Sequence, residues 1–136
     1  MEISVAAVVY RDGRLLLGKR KAGGSMGGRW ELPGGKVEGE ESPQQALVRE
    51  FEEELGASIR VGELLAVGGF EHKGIQRRLE AYLAFLVAKN NHTEIEFSRR
   101  EHDDFCWVEP ENVLQYHLVD SDRAILPDIL TALAEI

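Results

Sequence analysis

Hydrophobic and polar positions along the chain follow two patterns, one typical of strands and one typical of helices. Runs of apolar and β-branched residues predict strands at 3–10, 15–17, 59–70, 79–87 and 105–108. Asp12-Gly13 is a turn signal between the first and second of these runs, and His72-Lys73-Gly74 is one between the third and fourth. The glycine-rich residues 22–28 predict a loop, and residues 30–35 predict a short extended segment that ends in a turn.

The strongest helical pattern lies between Ser42 and Gly56. Ser42 suits an N-cap, Pro43 suits the first helical position, and Gln45 is placed to complete a capping box. Gly56 is the matching C-terminal stop. At about 100° per residue, apolar side chains occupy one arc of this helix and carboxylates the adjacent arc. The apolar residues are Leu47, Val48, Phe51 and Leu55, and the acidic ones are Glu50, Glu53 and Glu54.

Two shorter helices are predicted after the last strand. Residues 109–112 open the first, and residues 127–136 form a terminal helix with Pro127 at its start. The order of elements is mixed α and β around one strong central helix, without an internal repeat. Residues 1–136 are therefore expected to form a single domain.

The charge of the chain argues against a general nucleic-acid binder. The net charge is -8, whereas proteins that bind polyanions need a basic face. Residues 10–39 nevertheless carry seven basic and three acidic side chains, so this part is positive within an acidic chain. A small polyphosphate held between basic loops and a metal-loaded acidic helix fits this asymmetry, although ordinary solvated surface charge is the alternative for each residue taken singly.

The remaining bulk features point to the cytosol. No apolar run approaches the ~20 residues that a membrane span requires, and the N-terminus lacks the basic start of a secretory signal. A lone cysteine, Cys106, cannot form an internal disulfide and is expected to be a buried small hydrophobic residue. His72, His92, His102 and His117 lack the spacing of zinc ligands.

Acidic residues at the end of the central helix are electrostatically unfavourable. Glu52, Glu53 and Glu54 lie where the helix macrodipole is already negative. Carboxylates at roughly 5–6 Å repel by about 0.7 kcal/mol per pair in water and by about 3 kcal/mol at an effective dielectric of 20. A divalent cation would turn this repulsion into binding, and carboxylate oxygens suit Mg²⁺. Arg49 is placed to pair with Glu53 one turn later, and a solvated acidic face is the alternative.

The spacing of these residues resembles the signature of the Nudix hydrolases. Gly35 is followed after five residues by Glu41, and after seven more by the run from Arg49 to Ala57. Phe51 and Ala57 stand where aliphatic residues are usual, which affects packing and not ligation. The resemblance implies an α+β Nudix fold, in which a mixed β-sheet lies between helices.

By the same resemblance, roles can be assigned to the acidic residues. Metal ligands would be the Gly34 carbonyl and the carboxylates of Glu50, Glu53 and Glu54, with Glu50 as the first candidate for the general base and Glu53 as the second. Arg49 would orient Glu53. A further acidic ligand or base is expected at Glu101, with Asp103, Asp104 or a plain solvated loop as the alternatives.

Several segments resemble the MutT and CTP pyrophosphohydrolase branch of the family. They are residues 30–38, 114–116 and 120–122, and together with the motif they span nearly the whole chain. In that branch a residue at the place of Asp122 reads the base edge, and a basic residue at the place of Arg20 lies near the nucleotide. Lys36 is a further phosphate-binding candidate. On local grounds Asp122 is equally well a helix cap or turn residue.

These inferences predict a Mg²⁺-dependent nucleoside triphosphate pyrophosphohydrolase, with Mn²⁺ as an alternative metal, acting on oxidised nucleotides such as 8-oxo-dGTP. A small-molecule nucleotide is the expected partner, without nucleic acid or membrane, in a monomer or homodimer. Other nucleoside diphosphate derivatives remain alternatives: ADP-ribose, NADH, coenzyme A and dinucleoside polyphosphates. By the same resemblance, relatives that act on ADP-ribose tend to have a proline soon after the motif, and those that act on dinucleoside polyphosphates tend to have a tyrosine there. This chain has no proline between Pro43 and Pro110, and its first tyrosine after the motif is Tyr82, so the resemblance favours triphosphates. A non-catalytic nucleotide sensor is the alternative of another class.

Overall fold

The first strand, β1 (Glu2–Arg11), organises the fold because it pairs with three other strands. The structure, a computed structural model, describes residues 2–88 and 96–136. The strands are β1 (Glu2–Arg11), β2 (Arg14–Arg20), β3 (Trp30–Glu31), β4 (Gly34–Lys36), β5 (Ile59–His72), β6 (Ile75–Leu86) and β7 (His102–Val108). The helices are α1 (Pro43–Leu55), α2 (Asp120–Ala134) and a 3₁₀ helix (Pro110–Gln115).

The sheet is mixed because β1 and β6 run parallel while the other pairs are antiparallel. β1 also pairs with β4 near its start and with β2 at its end. β2 carries β3 and β7, and β6 carries β5. One helix packs on each face, so the expected mixed sheet between helices is confirmed.

Two helices covering two faces explain why the centre of β1, residues 5–9, is apolar without interruption. Val5, Ala7 and Val9 pack with α1, whereas Ala6 and Val8 belong to the core cluster that includes residues of α2. A strand with both faces covered loses the alternation seen in half-exposed strands.

The predicted limits of α1 are confirmed. Ser42 and Gln45 form the capping box, and Gly56 ends the helix with a φ of 69°. Leu47, Phe51 and Leu55 are fully buried. The apolar arc therefore fastens α1 to the sheet and leaves its acidic arc free to form a site.

The predicted terminal helix is wrong at its start. α2 begins at Asp120, so Pro127 lies inside it rather than at its first position. Buried Ile125 and Leu126 precede the proline and pack on the sheet, and this tertiary burial outweighs the hydrogen bond that an interior proline removes. The alternative of Asp122 as a cap is also wrong, because Val119 is the N-cap and Asp122 lies in the first turn.

Two strands begin earlier than their apolar runs. β6 starts at Ile75 rather than residue 79, and β7 at His102 rather than residue 105. Apart from Ile75, the additional residues are polar, but ladder hydrogen bonds use the backbone and do not require apolar side chains. Cys106 is half-buried rather than buried. No helix among residues 2–88 and 96–136 is long and apolar enough to cross a membrane.

Candidate active site

Arg49 links the acidic residues of α1 to the loop before it. Its Nε and Nη2 donate to the two carboxylate oxygens of Glu41 at 2.7 and 2.9 Å. Its Nη1 contacts Glu50 at 3.1 Å and Glu53 at 3.2 Å, so the predicted Arg49–Glu53 pair is confirmed. Its Nη2 also donates to the Lys36 carbonyl at 3.0 Å. One guanidinium therefore holds β4, the loop and the acidic face of α1 in register.

Glu54 has the most strongly raised pKa among the carboxylates of this face. Burial, followed by the negative charges of Glu31, Glu50 and Glu101, raises the pKa of Glu54 to about 8. The Gly34 N–H donates to this carboxylate, whereas its Oε2 is buried without a hydrogen-bond partner. A buried oxygen without a partner usually marks either strain or a site that a ligand completes.

Glu50 lies beside Glu54 and is also partly withdrawn from solvent. Burial raises the pKa of Glu50, against the opposing effect of its hydrogen bond from Arg49. A Cβ on Gly35 would stand 2.3 Å from the Glu50 carboxyl carbon, so a side chain there would displace this carboxylate. Glu53 differs from both, because 59% of its side chain is exposed and its contact is with Arg49.

These residues fit a divalent metal, although the site is not preassembled. Across the described ranges, no three His, Cys, Asp or Glu side chains converge as a metal-binding group. The test of fit is the unpartnered Glu54 oxygen, which lies within the field of three other carboxylates. Hard oxygen donors with surplus negative charge are the environment in which Mg²⁺ binds. Nudix hydrolases, whose signature the sequence resembles, generally use a divalent metal.

Among the acidic residues just before and at the start of β7, Glu101 is the one with an electrostatic connection to this cluster. It is exposed, and its charge contributes to the raised pKa of Glu54. The alternatives have local contacts: the Asp103 carbonyl accepts from Arg99, and the Asp104 carboxylate accepts from the Phe105 N–H at 2.9 Å. The effect of its charge on Glu54 favours Glu101 over Asp103 and Asp104.

Glu31 and His102 form a buried connection that the sequence did not reveal. His102 is fully buried, and its Nε2 lies 2.8 Å from Glu31 Oε2. Arg20 donates to the other Glu31 oxygen at 3.3 Å. Gly18 permits this arrangement, since a Cβ there would lie 2.7 Å from the His102 ring. Glu31 is thereby held between the acidic cluster and the basic residue Arg20.

A cleft of about 670 Å³ extends from this point, within the size range of nucleotide-sized ligand sites. Arg20 and Lys36 line it, as does Glu31. The hairpin of β5 and β6 and the loop after β2 complete its walls, with Phe70, His72, Lys73, Arg77, Gly24, Ser25 and Met26. These hairpin residues were missed because they reach the cleft only through strand pairing far from the acidic motif.

Asp122 lies beneath one wall of the cleft. It is 4% exposed, and its Oδ2 accepts from the Leu32 N–H at 2.8 Å. Burial raises the pKa of Asp122 to about 7, and the charge of Glu31 adds to this effect. Its neighbours Val119 and Ser121 line the cleft directly. The start of α2 thus joins the segment after β3 to the cleft.

Comparison with known proteins extends over all of these residues. The model of the NUDIX domain matches residues 2–129. The chain is 42% identical over 122 residues to the CTP pyrophosphohydrolase of Escherichia coli (strain K12), covering 90% of this chain and 86% of that protein. It is 37% identical over 65 residues to the 8-oxo-dGTP diphosphatase of Proteus vulgaris, covering 48% of this chain and 58% of that protein.

A solved structure supports the same likeness. The solution structure of the E. coli ORF135 protein superimposes with a TM-score of 0.83 at 38% sequence identity. The superposition covers 99% of this chain and 92% of that chain. Similarity therefore extends over the sheet and both helices.

Proposed function

The chain belongs to the NUDIX domain family and is a Nudix hydrolase, and we propose that it is a Mg²⁺-dependent nucleoside triphosphate pyrophosphohydrolase. The proposed reaction converts a nucleoside triphosphate and water to a nucleoside monophosphate and pyrophosphate. One observation carries the proposal: the buried, unpartnered oxygen of Glu54 lies in an acidic cluster that Glu31 connects to a basic cleft.

The metal would be held by Glu50, Glu53 and Glu54 and the carbonyl of Gly34, with Glu101 as a further ligand. When bound, a divalent ion neutralises phosphate charge and lowers the pKa of bound water. Neutralisation would also remove the cost of ionising Glu54, whose pKa is raised to about 8 in the protein alone.

The side chains of the chain supply proton transfer and positioning. Glu50 accepts the proton of the attacking water, whose oxygen bonds to phosphorus as the anhydride between the α- and β-phosphates breaks. Arg49 holds Glu50 and Glu53 in place through its Nη1. Arg20 and Lys36 contribute positive charge where the polyphosphate lies.

The substrate is an oxidised or otherwise modified nucleoside triphosphate, such as 8-oxo-dGTP. The names of two similar proteins, a CTP pyrophosphohydrolase and an 8-oxo-dGTP diphosphatase, support this range of substrates. Asp122 takes part in recognition of the base edge from below the cleft wall. We place this activity in the cytoplasm, where nucleotides are free small molecules, and in a monomer or homodimer.

Product analysis tests the proposal. Purified protein with Mg²⁺ is incubated with CTP, dGTP, 8-oxo-dGTP, ADP-ribose, NADH and diadenosine polyphosphate, and the products are separated by chromatography. We expect nucleoside monophosphate and pyrophosphate from the triphosphates. Orthophosphate and nucleoside diphosphate would contradict the cleavage position, and preference for ADP-ribose or a dinucleotide would favour the alternative substrates.

A matched pair of variants tests the acidic cluster. Glu53→Gln and Glu52→Gln each remove one negative charge from neighbouring exposed positions of α1. Glu52 has no assigned role, so its variant should keep normal turnover, whereas Glu53→Gln should lose it while remaining folded. Equal activity of the two variants would remove Glu53 from the site.

A further inference from the structure

Arg77 is a buried cation that lines the cleft. Arg77 is 9% exposed, although arginine is rarely buried without full pairing. Its Nη1 contacts Glu2 Oε2 at 2.9 Å. Its Nε is buried and has no hydrogen-bond partner. The guanidinium has five N–H donors, so the protein leaves part of its hydrogen-bonding capacity unused.

Arg77 lines the cleft from the hairpin of β5 and β6, whereas Glu31 and Lys36 line it from β3 and β4. The phosphates must lie near Glu31 and Lys36, because Glu31 adjoins Glu54 and the Lys36 carbonyl is bound by Arg49. Arg77 instead lies opposite Phe70 in the pairing of β5 and β6, and both residues line the cleft. The half-buried Phe70 ring offers an apolar surface suited to a flat ring.

Charge distinguishes Arg77 from the other cations of the cleft. Glu2 largely neutralises Arg77 and would repel a phosphate brought beside it. A neutral acceptor, such as a carbonyl oxygen, suits a guanidinium that is already paired but retains donors. The edge of an oxo-bearing nucleobase provides such an acceptor.

We propose that Arg77 is a specificity-determining residue that selects nucleotides whose base carries a carbonyl oxygen, as guanine and cytosine do, over adenine. This inference rests on the proposed function, because it places a nucleotide in the cleft with its phosphates at the acidic cluster. Arg77 acts on the base, so its loss should alter substrate preference and leave the chemical step intact.

The test measures kcat and KM for CTP, GTP and ATP in the wild type, Arg77→Met, Arg77→Lys and the control Lys73→Met. Lys73 is an exposed cation on the rim of the same cleft. We expect Arg77→Met to lower kcat/KM for CTP and GTP by about 10-fold or more, mainly through KM, and to change ATP by less than about twofold. Arg77→Lys keeps the charge but lacks the planar guanidinium, so it should lose the same preference for CTP and GTP. This variant also tests the inference if Arg77→Met does not fold.

The control separates base recognition from general charge. Lys73→Met should affect the three substrates equally. The inference would be overturned if both Arg77 variants lost kcat/KM equally on all three substrates, or if their kcat/KM values were unchanged. It would also be overturned if the wild type preferred ATP. If the wild type cleaves neither these three nor 8-oxo-dGTP, the proposed function fails separately. Calorimetric affinities for CMP, GMP and AMP then decide the inference by the same criterion.

Discussion

Replacing Glu54 with glutamine should stabilise the metal-free protein and abolish its response to Mg²⁺. In the folded chain the pKa of Glu54 is raised to about 8 from an ordinary value of 4.5, chiefly by burial. Because the folded state binds this proton more tightly than the unfolded state, ionisation lowers the free energy of unfolding as pH rises from about 4.5 to about 8. By pH 7, which lies below the pKa in the folded chain, this effect has lowered the free energy of unfolding by about 3 kcal/mol.

The expected gain is smaller because Glu54 is not completely enclosed. We expect Glu54→Gln to raise the free energy of unfolding by about 1–3 kcal/mol at pH 7–8, or roughly 4 °C in Tm per kcal/mol for a chain of this size. The gain should shrink towards zero near pH 4. Glutamine can still accept from the Gly34 N–H, so the existing hydrogen bond is preserved.

Urea denaturation of both proteins between pH 4 and 9, with and without Mg²⁺, measures this effect. Glu52→Gln is the control, since it removes an exposed charge from the same helix turn. Mg²⁺ should stabilise the wild type and the control but not Glu54→Gln. Destabilisation by Glu54→Gln, or a gain that is independent of pH, would refute the argument that Glu54 is ionised at a cost.

Three further changes test other parts of the site. Gly35→Ala should lower kcat by at least about 10-fold, measured by steady-state kinetics, because a Cβ would lie 2.3 Å from the Glu50 carboxyl carbon; full activity would contradict this crowding. His102→Leu removes the contact with Glu31 and should cost about 1–3 kcal/mol in urea denaturation as well as activity; unchanged stability would show that the contact is not important. Asp122→Asn should stabilise the protein above pH 7 and not at pH 4, because burial raises the pKa of Asp122 to about 7; thermal melts that show the same difference at both pH values would contradict it.

Local interactions explain which features were predictable from the sequence. The limits of α1 depend on Ser42, Gln45 and Gly56, which act within a few residues of one another. The Arg49–Glu53 contact is likewise a pair one turn apart on the same helix. Such features carry their own signals in the order of residues.

Features that depend on distant pairing were not predictable in this way. α2 extends before Pro127 because buried residues such as Ile125 pack against the sheet, which local helix rules do not include. His102 meets Glu31 only because β7 and β3 both pair with β2. Arg77 likewise reaches the cleft through the pairing of β6 with β1 and β5.

Metal binding at the acidic face of α1 is the central claim, and anomalous X-ray scattering from crystals soaked with Mn²⁺ and a non-hydrolysable triphosphate analogue tests it most directly. We predict a manganese peak beside Glu50 and Glu54 in the wild type and its loss in Glu54→Gln. An ordered analogue without a peak at these carboxylates, or an undiminished peak in the variant, would contradict the claim.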